Sequence, residues 1–308
     1  SSVTNLDAVS AWRASNSSWG VWCTDAGAWS ADFERKYARE VERLGYSSLW
    51  IPENPSSKES LVHAGLLLSM TETLSIGTGI TSVWARDAVA AHNGAQALAE
   101  AYDGRFVLGL GVSHRVLNAA RGYEYATPYT TMSEYLSALS TATYDAPQAT
   151  TAMPVVIGAL RDKMMALGAE KADGAHTYMV TTEHTAHARS VLGAQPLLIV
   201  EQSYVLADDE GEARRLARAH LSWYLGQPNY QSSLQAQGFS ESDIANGGSD
   251  HLVDSLVAWG SADEVEARVS AHLAAGADQV LLHPVFGTPD EQIDALRTMA
   301  TRLSLAPR

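Results

Sequence analysis

Cysteine is nearly missing from this chain. The single thiol, Cys23, leaves no internal disulfide to form and no cysteine pair to hold a metal, which predicts a reducing, cytoplasmic home. Positive charge is also scarce: 21 Lys and Arg stand against 35 Asp and Glu, for a formal net charge of −14. No basic block offsets this balance locally, so phosphate backbones and anionic lipid are repelled, and neither nucleic acid nor membrane is expected as a partner. No apolar run approaches the roughly 18 residues of a membrane-spanning helix. The opening stretch "SSVTNLDAVSAWRASNSSWG" has no basic region ahead of an apolar one, so no secretory signal is expected. The phosphate loop of nucleotide hydrolases, zinc-ligand spacings and the serine-hydrolase elbow are all missing, which removes the usual support for those chemistries.

What is present is a regular alternation. With 46% hydrophobic residues the 308-residue chain can bury a large core, and its length allows one α/β barrel as a single domain over residues 1–308. Short β-rich runs alternate with longer helical patterns, the signature of parallel βα units. Eight such runs are read at residues 19–23, 48–52, 74–80, 106–112, 154–158, 176–180, 197–205 and 279–285. Eight is the number that closes a parallel (β/α)8 barrel, a TIM barrel, around filled interior side chains. Two corners, "ERLGYSSLW" and "HLAAGADQV", place glycine just past a helix, where a left-handed cap is wanted. From about 226 to 260, Gly, Asn, Ser and Pro mix with short helical patterns beyond what a connection needs. This reads as a helical insertion after strand seven, either over the barrel mouth or packed outside it.

In a parallel barrel the carboxyl ends of the strands share one cleft, so chemistry is sought there. The positions offered are Trp22, Cys23 and Asp25, then Glu53 and Asn54, Trp84 and Arg86, Ser113 to Arg115, Ala159 to Lys163, and His283. Aromatic planes, a few titratable groups and glycine-rich turns suit a planar ring cofactor with an anionic tail. In "FVLGLGVSHR", Gly109 and Gly111 serve either close approach to such a ligand or interior packing.

Several stretches together resemble the luciferase-like monooxygenase family of flavin- and deazaflavin-dependent oxidoreductases. They are "GYSSLWIPEN", "LSIGTGITSVWARDA", "YDGRFVLGLGVSH", "MPVVIGALRDKMMALGAEKADGAH", "ARAHLSWYLGQPNYQSSLQAQGF" and "WGSADEVEARVSAHLAAGADQVLLHPV", in the family's order and spacing. The resemblance is closest to the branch that uses coenzyme F420, a deazaflavin, with FMN as the alternative. It implies a (β/α)8 barrel with an insertion, a homodimer, and a non-proline cis peptide near Gly79–Ile80 as a backstop for the tricyclic ring. It also makes Phe106–Val112 barrel strand four, with Gly111 close to the neighbouring layer and Ser113 and His114 reaching the cleft.

Glu53, after a strand and a proline, is the first acid/base candidate, with a pKa expected to rise by desolvation; a solvated loop carboxylate is the alternative. His114 is the second, set against a histidine that only caps the next helix. The turn of Gly158, Ala159, Leu160, Arg161 and Lys163 precedes a helix whose free amides would hold a phosphate. Relatives usually show Gly-Pro where this chain has Arg161 and Asp162, so a guanidinium stands in for part of the backbone cradle. Trp22 would wall the ring, as would Trp50 and Trp84 unless they are plain packing. Cys23 has no basic neighbour to make it a nucleophile, and His92 is expected to be structural.

The expected function is hydride transfer between F420 and a small apolar or carbonyl-type organic substrate. The alternatives are an FMN-dependent monooxygenase that uses oxygen and a partner flavin reductase, and a barrel that binds a flavin without turnover. A phosphosugar lyase would want a catalytic lysine at a strand end, and the eight runs contain none.

Overall fold

Every strand pairing is parallel, and the ring of strands closes on itself. The computed structural model describes residues 4–124 and 127–308; the expected domain span 1–308 thus includes 1–3 and 125–126, which lie outside the described residues. Ten strands occur among the described residues: β1 (Trp19–Trp22), β2 (Ser48–Ile51), β3 (Ser75–Thr78), β4 (Thr81–Ser82), β5 (Phe106–Gly111), β6 (Val155–Gly158), β7 (Gly174–Thr177), β8 (Leu197–Leu206), β9 (Ala258–Gly260) and β10 (Gln279–Pro284). Eight of them run in the order β10-β1-β2-β3-β5-β6-β7-β8, and β8 pairs back to β10 to close the barrel. The short β4 extends the rim by pairing with β5, and β9 pairs outside the ring with β8.

Alternation along each strand sorts side chains between two cores. On β5, Phe106, Leu108 and Leu110 pack among the outer helices with Ala91, Ala95 and Ala99. Val107 packs inside, with Trp50, Val156, Ile199 and Leu281. Two interior tryptophans set the glycine positions opposite them. A Cβ on Gly77 would lie 2.3 Å from Trp50 Cδ2, and one on Gly79 would lie 2.3 Å from Trp22 Cζ3. The glycine-rich strand "LSIGTGI" is therefore shaped by indole packing.

Helix entry follows from local chemistry. Ser30, Asp87, Thr181, Asp209, Ser261 and Thr288 each accept a backbone N–H of the helix that follows, and the two expected corner glycines, Gly45 and Gly276, have φ of 98° and 118°. The helix Leu6–Ser15, not expected from the sequence, buries Val9 and Trp12 with the barrel-interior group. Asn5 N–H donates to Asp173 and Arg13 pairs with Asp278, both just before strands, so this helix closes the amino-terminal end.

One expected strand is displaced. The sixth run was placed at 176–180, but β7 spans Gly174–Thr177. Asp173 accepts the N–H groups of Asn5 and Val155, which anchors the chain earlier, and Met179 has φ of 59°, which ends the extended run. Between β8 and β10 lie the helices Pro228–Ala236, Glu241–Ile244 and Asp250–Leu256. Asp250 and Asp254 of the last pair with Arg214 and Arg218 on the helix Glu210–Leu225. No helix among the described residues is long and apolar enough to cross a membrane.

Candidate active site at the barrel mouth

A cavity of about 450 Å³ opens at the carboxyl ends of the strands. That lies within the roughly 300–1,000 Å³ of ordinary small-molecule sites. Glu53, His114, Trp22, Gly79, Ile80, Gly111, Ser113, Gly158, Ala159, Leu160, Arg161 and Lys163 all line it. Asn229, Tyr230 and Ser232 line it as well, so the first turn of the helix Pro228–Ala236 reaches the mouth while the later helices pack on the outside.

The floor is built from small residues around one branched side chain. The Gly79–Ile80 peptide is cis. Ile80 fills the space that side chains at two neighbouring strands would need: a Cβ on Gly111 would lie 2.3 Å from Ile80 Cγ1, and one on Gly158 would lie 3.1 Å from Ile80 Cγ2. Gly109 is pressed against Thr78 O, where a Cβ would lie at 1.8 Å. The glycines of "FVLGLG" therefore serve interior packing, and through Ile80 that packing lays a flat bed at the cavity base.

Rings dominate the walls. Trp22 stacks on His176 with centroids 5.3 Å apart and an 18° interplanar angle, and His176 stacks in turn on Trp50 at 5.4 Å. Trp50 is fully buried beneath the cavity, and Trp84 turns its indole N–H to Val112 O, so of the three tryptophans only Trp22 is a wall. Tyr178 and Tyr224 join their hydroxyls at 2.8 Å. His176 Nδ1 is 3.1 Å from Ile199 O and donates to it, which leaves Nε2 a bare acceptor without a partner among the described residues. Burial pulls this imidazole down to about 4, against the bond to Ile199, so it is neutral.

Glu53 behaves otherwise than its sequence position suggested. Its carboxylate accepts Ser60 N–H and Ser82 N–H, both at 2.9 Å, and pairs with Arg86 at 2.5 Å. Burial pushes the carboxyl up, but the Arg86 guanidinium and the two amides outweigh it and hold the pKa below the ordinary value. The expected upward shift is thus reversed, and a committed, ionised carboxylate here ties β4 to the helix Ser60–Met70. His114 sits at the cavity edge, with its Nδ1 beside the Asn229 side chain and its ring against Trp223 and Tyr230. It precedes the helix Arg115–Ala120 without a side-chain cap bond. Burial lowers its pKa, with Asn229 opposing, so it too is neutral near pH 7.

Arg161 and Lys163 are exposed at the turn after β6, at the start of the helix Asp162–Lys171. Lys163 Nζ lies 4.2 Å over the Tyr129 ring. The Arg161 side chain makes no hydrogen bond or ion pair among the described residues, while Asp162 turns to His187 at 2.7 Å. A flat bed, aromatic walls, a bare imidazole nitrogen and two cations beside free helix amides fit a planar ring with an anionic tail.

A group of which the sequence offers only His283 stands behind the wall. Thr24 lines the cavity, and His283 and Glu201 lie beyond it, with His283 Nδ1 2.9 Å from Glu201 Oε1. Burial raises the Glu201 carboxyl to about 7, eased by the Met179 N–H. Glu201 was the one charge inside the apolar run "LLIVEQSYV", a visible signal. Cys23 is buried, its thiol pushed up to about 12 by burial, and it is no part of the cavity. His92 contacts the Asn93 side chain and Tyr144, away from the site.

A family model described as luciferase-like monooxygenase matches residues 17–279. The 5,10-methylenetetrahydromethanopterin reductase of Methanolobus tindarius is 23% identical over an alignment of 299 residues, covering 83% of this chain and 91% of that protein. Among solved structures, an F420-dependent secondary alcohol dehydrogenase in complex with an F420-acetone adduct superposes with a TM-score of 0.70 at 14% identity, covering 92% of this chain and 97% of that one. The coenzyme F420 dependent tetrahydromethanopterin reductase from Methanopyrus kandleri gives 0.72 at 15%, covering 94% and 100%. The EDTA monooxygenase from Chelativorans sp. BNC1 gives 0.68 at 11%, covering 94% and 93%. At these identities the solved structures speak for the fold.

Proposed function

This chain belongs to the luciferase-like monooxygenase family, and from that premise we propose that it is an F420-dependent oxidoreductase acting on a small organic substrate. The observation that carries the reading is the cavity itself: an aromatic, glycine-floored cleft whose outer rim holds the unpaired Arg161 and the exposed Lys163. The names of two relatives, the alcohol dehydrogenase and the tetrahydromethanopterin reductase, include F420 and favour the deazaflavin. Bound in the cleft, that coenzyme would supply a hydride donor or acceptor at its ring.

The chain's own residues do the rest. Ile80, bedded on Gly111 and Gly158, and Trp22 fix the plane of a bound ring. Arg161, Lys163 and the first amides of the helix Asp162–Lys171 hold an anionic tail outside the apolar part of the cleft. Tyr224 and Tyr230 line the cleft from the helices that follow β8 and exclude water from the reacting carbon, with the start of the helix Pro228–Ala236 as the cover. Glu53, with Arg86, keeps the rim rigid.

The second reading, FMN-dependent oxygenation, draws on the likeness to the EDTA monooxygenase. Oxygen consumption separates the two, because reduced FMN reacts with oxygen and reduced F420 does not. The protein is expected to leave oxygen uptake by reduced FMN at the protein-free level and to change F420 absorbance in the presence of its substrate. Oxygenated product formed from reduced FMN in proportion to protein concentration would overturn the reading.

A further inference from the structure

A carboxylate, an imidazole and a hydroxyl stand in line from the barrel interior to the cavity. Trp22 Nε1 donates to Thr24 Oγ1 at 3.0 Å, and the same oxygen lies 3.1 Å from His283 Nε2. An indole N–H can only donate, so Thr24 accepts from Trp22; Glu201 as the carboxylate can only accept from His283, which makes Nε2 the acceptor nitrogen for the Thr24 proton. Nδ1 then carries the imidazole proton and donates to Glu201 Oε1 at 2.9 Å. A hydroxyl has two lone pairs, and Trp22 uses one. Thr24 lines the cavity, whereas Glu201 and His283 are only 2% and 5% exposed. Water has little access to the inner two members, so a proton that enters or leaves by this route passes Thr24.

We propose that Thr24 is the catalytic base of this site, acting through the positioning residues His283 and Glu201, and that the substrate is an alcohol whose hydroxyl proton Thr24 accepts. The inference rests on the hydride-transfer reading above and names its substrate class and direction. As the substrate O–H bond breaks, its proton goes to Thr24 Oγ1, and the Thr24 proton moves to His283 Nε2. The substrate C–H bond breaks with its electron pair, which leaves as hydride to oxidised F420, and the freed oxygen pair closes the C=O bond. The alcohol is oxidised to a carbonyl, F420 is reduced, and the imidazolium formed at His283 is balanced by the Glu201 carboxylate.

The surroundings favour a base in its resting state. Burial pulls His283 down to about 3, with Asp25 opposing, so the imidazole waits unprotonated. His220, on the helix Glu210–Leu225, meets the His283 ring edge to face at 5.1 Å and is itself held neutral by burial. Tyr178, beyond β7, and Tyr224 face the same pocket as neutral phenols, their pKa values raised by burial. Met179 N–H, at 3.3 Å from Glu201 Oε2, supplies the carboxylate with a second donor. His176 stacks on Trp22 and is committed to Ile199.

The test has two arms. In the cofactor-free protein, nitrogen-15 spectra of labelled histidine are expected to show His283 with a protonated Nδ1 and a bare Nε2, and Thr24→Val is expected to shift the Nε2 resonance alone. A protonated Nε2 at His283 overturns the proposal whether or not F420 binds. With F420 bound, Thr24→Val is expected to lower kcat for alcohol oxidation about 100-fold or more and to leave F420 affinity within about twofold, while Thr24→Ser restores the rate to within about tenfold of wild type. Glu201→Gln is expected to move the acid limb of the kcat profile to lower pH while lowering its plateau, because the imidazolium loses its counter-charge. Alcohol oxidation by Thr24→Val at the wild-type rate, or a pH profile unmoved by Glu201→Gln, overturns it. Failure of the wild-type protein to bind F420 would instead sink the functional reading, and the histidine spectra would still decide the tautomer on which the relay depends.

Discussion

Glu53→Gln is expected to cost about 3–5 kcal/mol of folding stability at pH 7, the range for a buried pair broken from one side. Arg86 has a side chain only 10% exposed, and its other carboxylate partner is the more exposed Glu59. A glutamine amide offers one acceptor oxygen where the carboxylate serves Ser60 N–H, Ser82 N–H and Arg86 together, so at least one buried donor is left without a partner. The pH dependence has a definite sign. The folded pKa of Glu53 lies below its ordinary value of 4.5, so its contribution is present above that value and is lost as pH falls through the folded pKa. Urea unfolding should therefore show a wide gap between wild type and variant at pH 7 that narrows below about 4.5. Equal stability at pH 7 would mean that the carboxylate is free for proton chemistry after all.

Trp22→Ala should be nearly as damaging, at about 3–5 kcal/mol by the record of large aromatic truncations. The indole is 4% exposed, stacks on His176, leans on Tyr178 at 5.2 Å and fills the space above Gly79. Gly79 has no side chain to follow the retreating ring, so the void opens into the cleft. Trp22→Phe separates the ring from its N–H: most of the packing stays, but Thr24 loses the donor that fixes its hydroxyl. Urea titration of the three proteins should rank wild type above Trp22→Phe and Trp22→Phe well above Trp22→Ala. A Trp22→Ala protein within about 1 kcal/mol of wild type would show that the wall is not held by this ring.

The barrel was legible because its signals are local. Each buried parallel strand is a short apolar run, and most crossovers begin with a capping residue, so the eight strands and most of their helices follow from pattern. The strand whose boundary slipped, β7, is the one whose start is set by a distant partner: Asp173 binds Asn5 and Val155, a tie that no local pattern records. The closing helix Leu6–Ser15 was passed over for a similar reason, since its burial of Val9 and Trp12 depends on a barrel end that exists only once the ring has closed.

The cleft was legible where residues follow strands directly. All twelve expected site residues line one cavity, because barrel geometry brings strand ends together whatever their roles. Roles were harder to read. Glu53 looked like a desolvated acid until Arg86, 33 residues later, proved to lie against it. The Thr24–His283–Glu201 line joins the loop after β1 to β10 and β8 across separations of 259 and 82 residues, and no spacing rule connects them. Only His283, as a strand-end position, and the lone carboxylate in "LLIVEQSYV" point that way.

The most direct test of the account is a side-by-side equilibrium titration of the purified protein with F420 and with FMN, followed by quenching of their fluorescence. Saturable quenching of F420, with FMN binding weaker by about tenfold or more, is the predicted result. Tight FMN binding with no saturable response to F420 would contradict it.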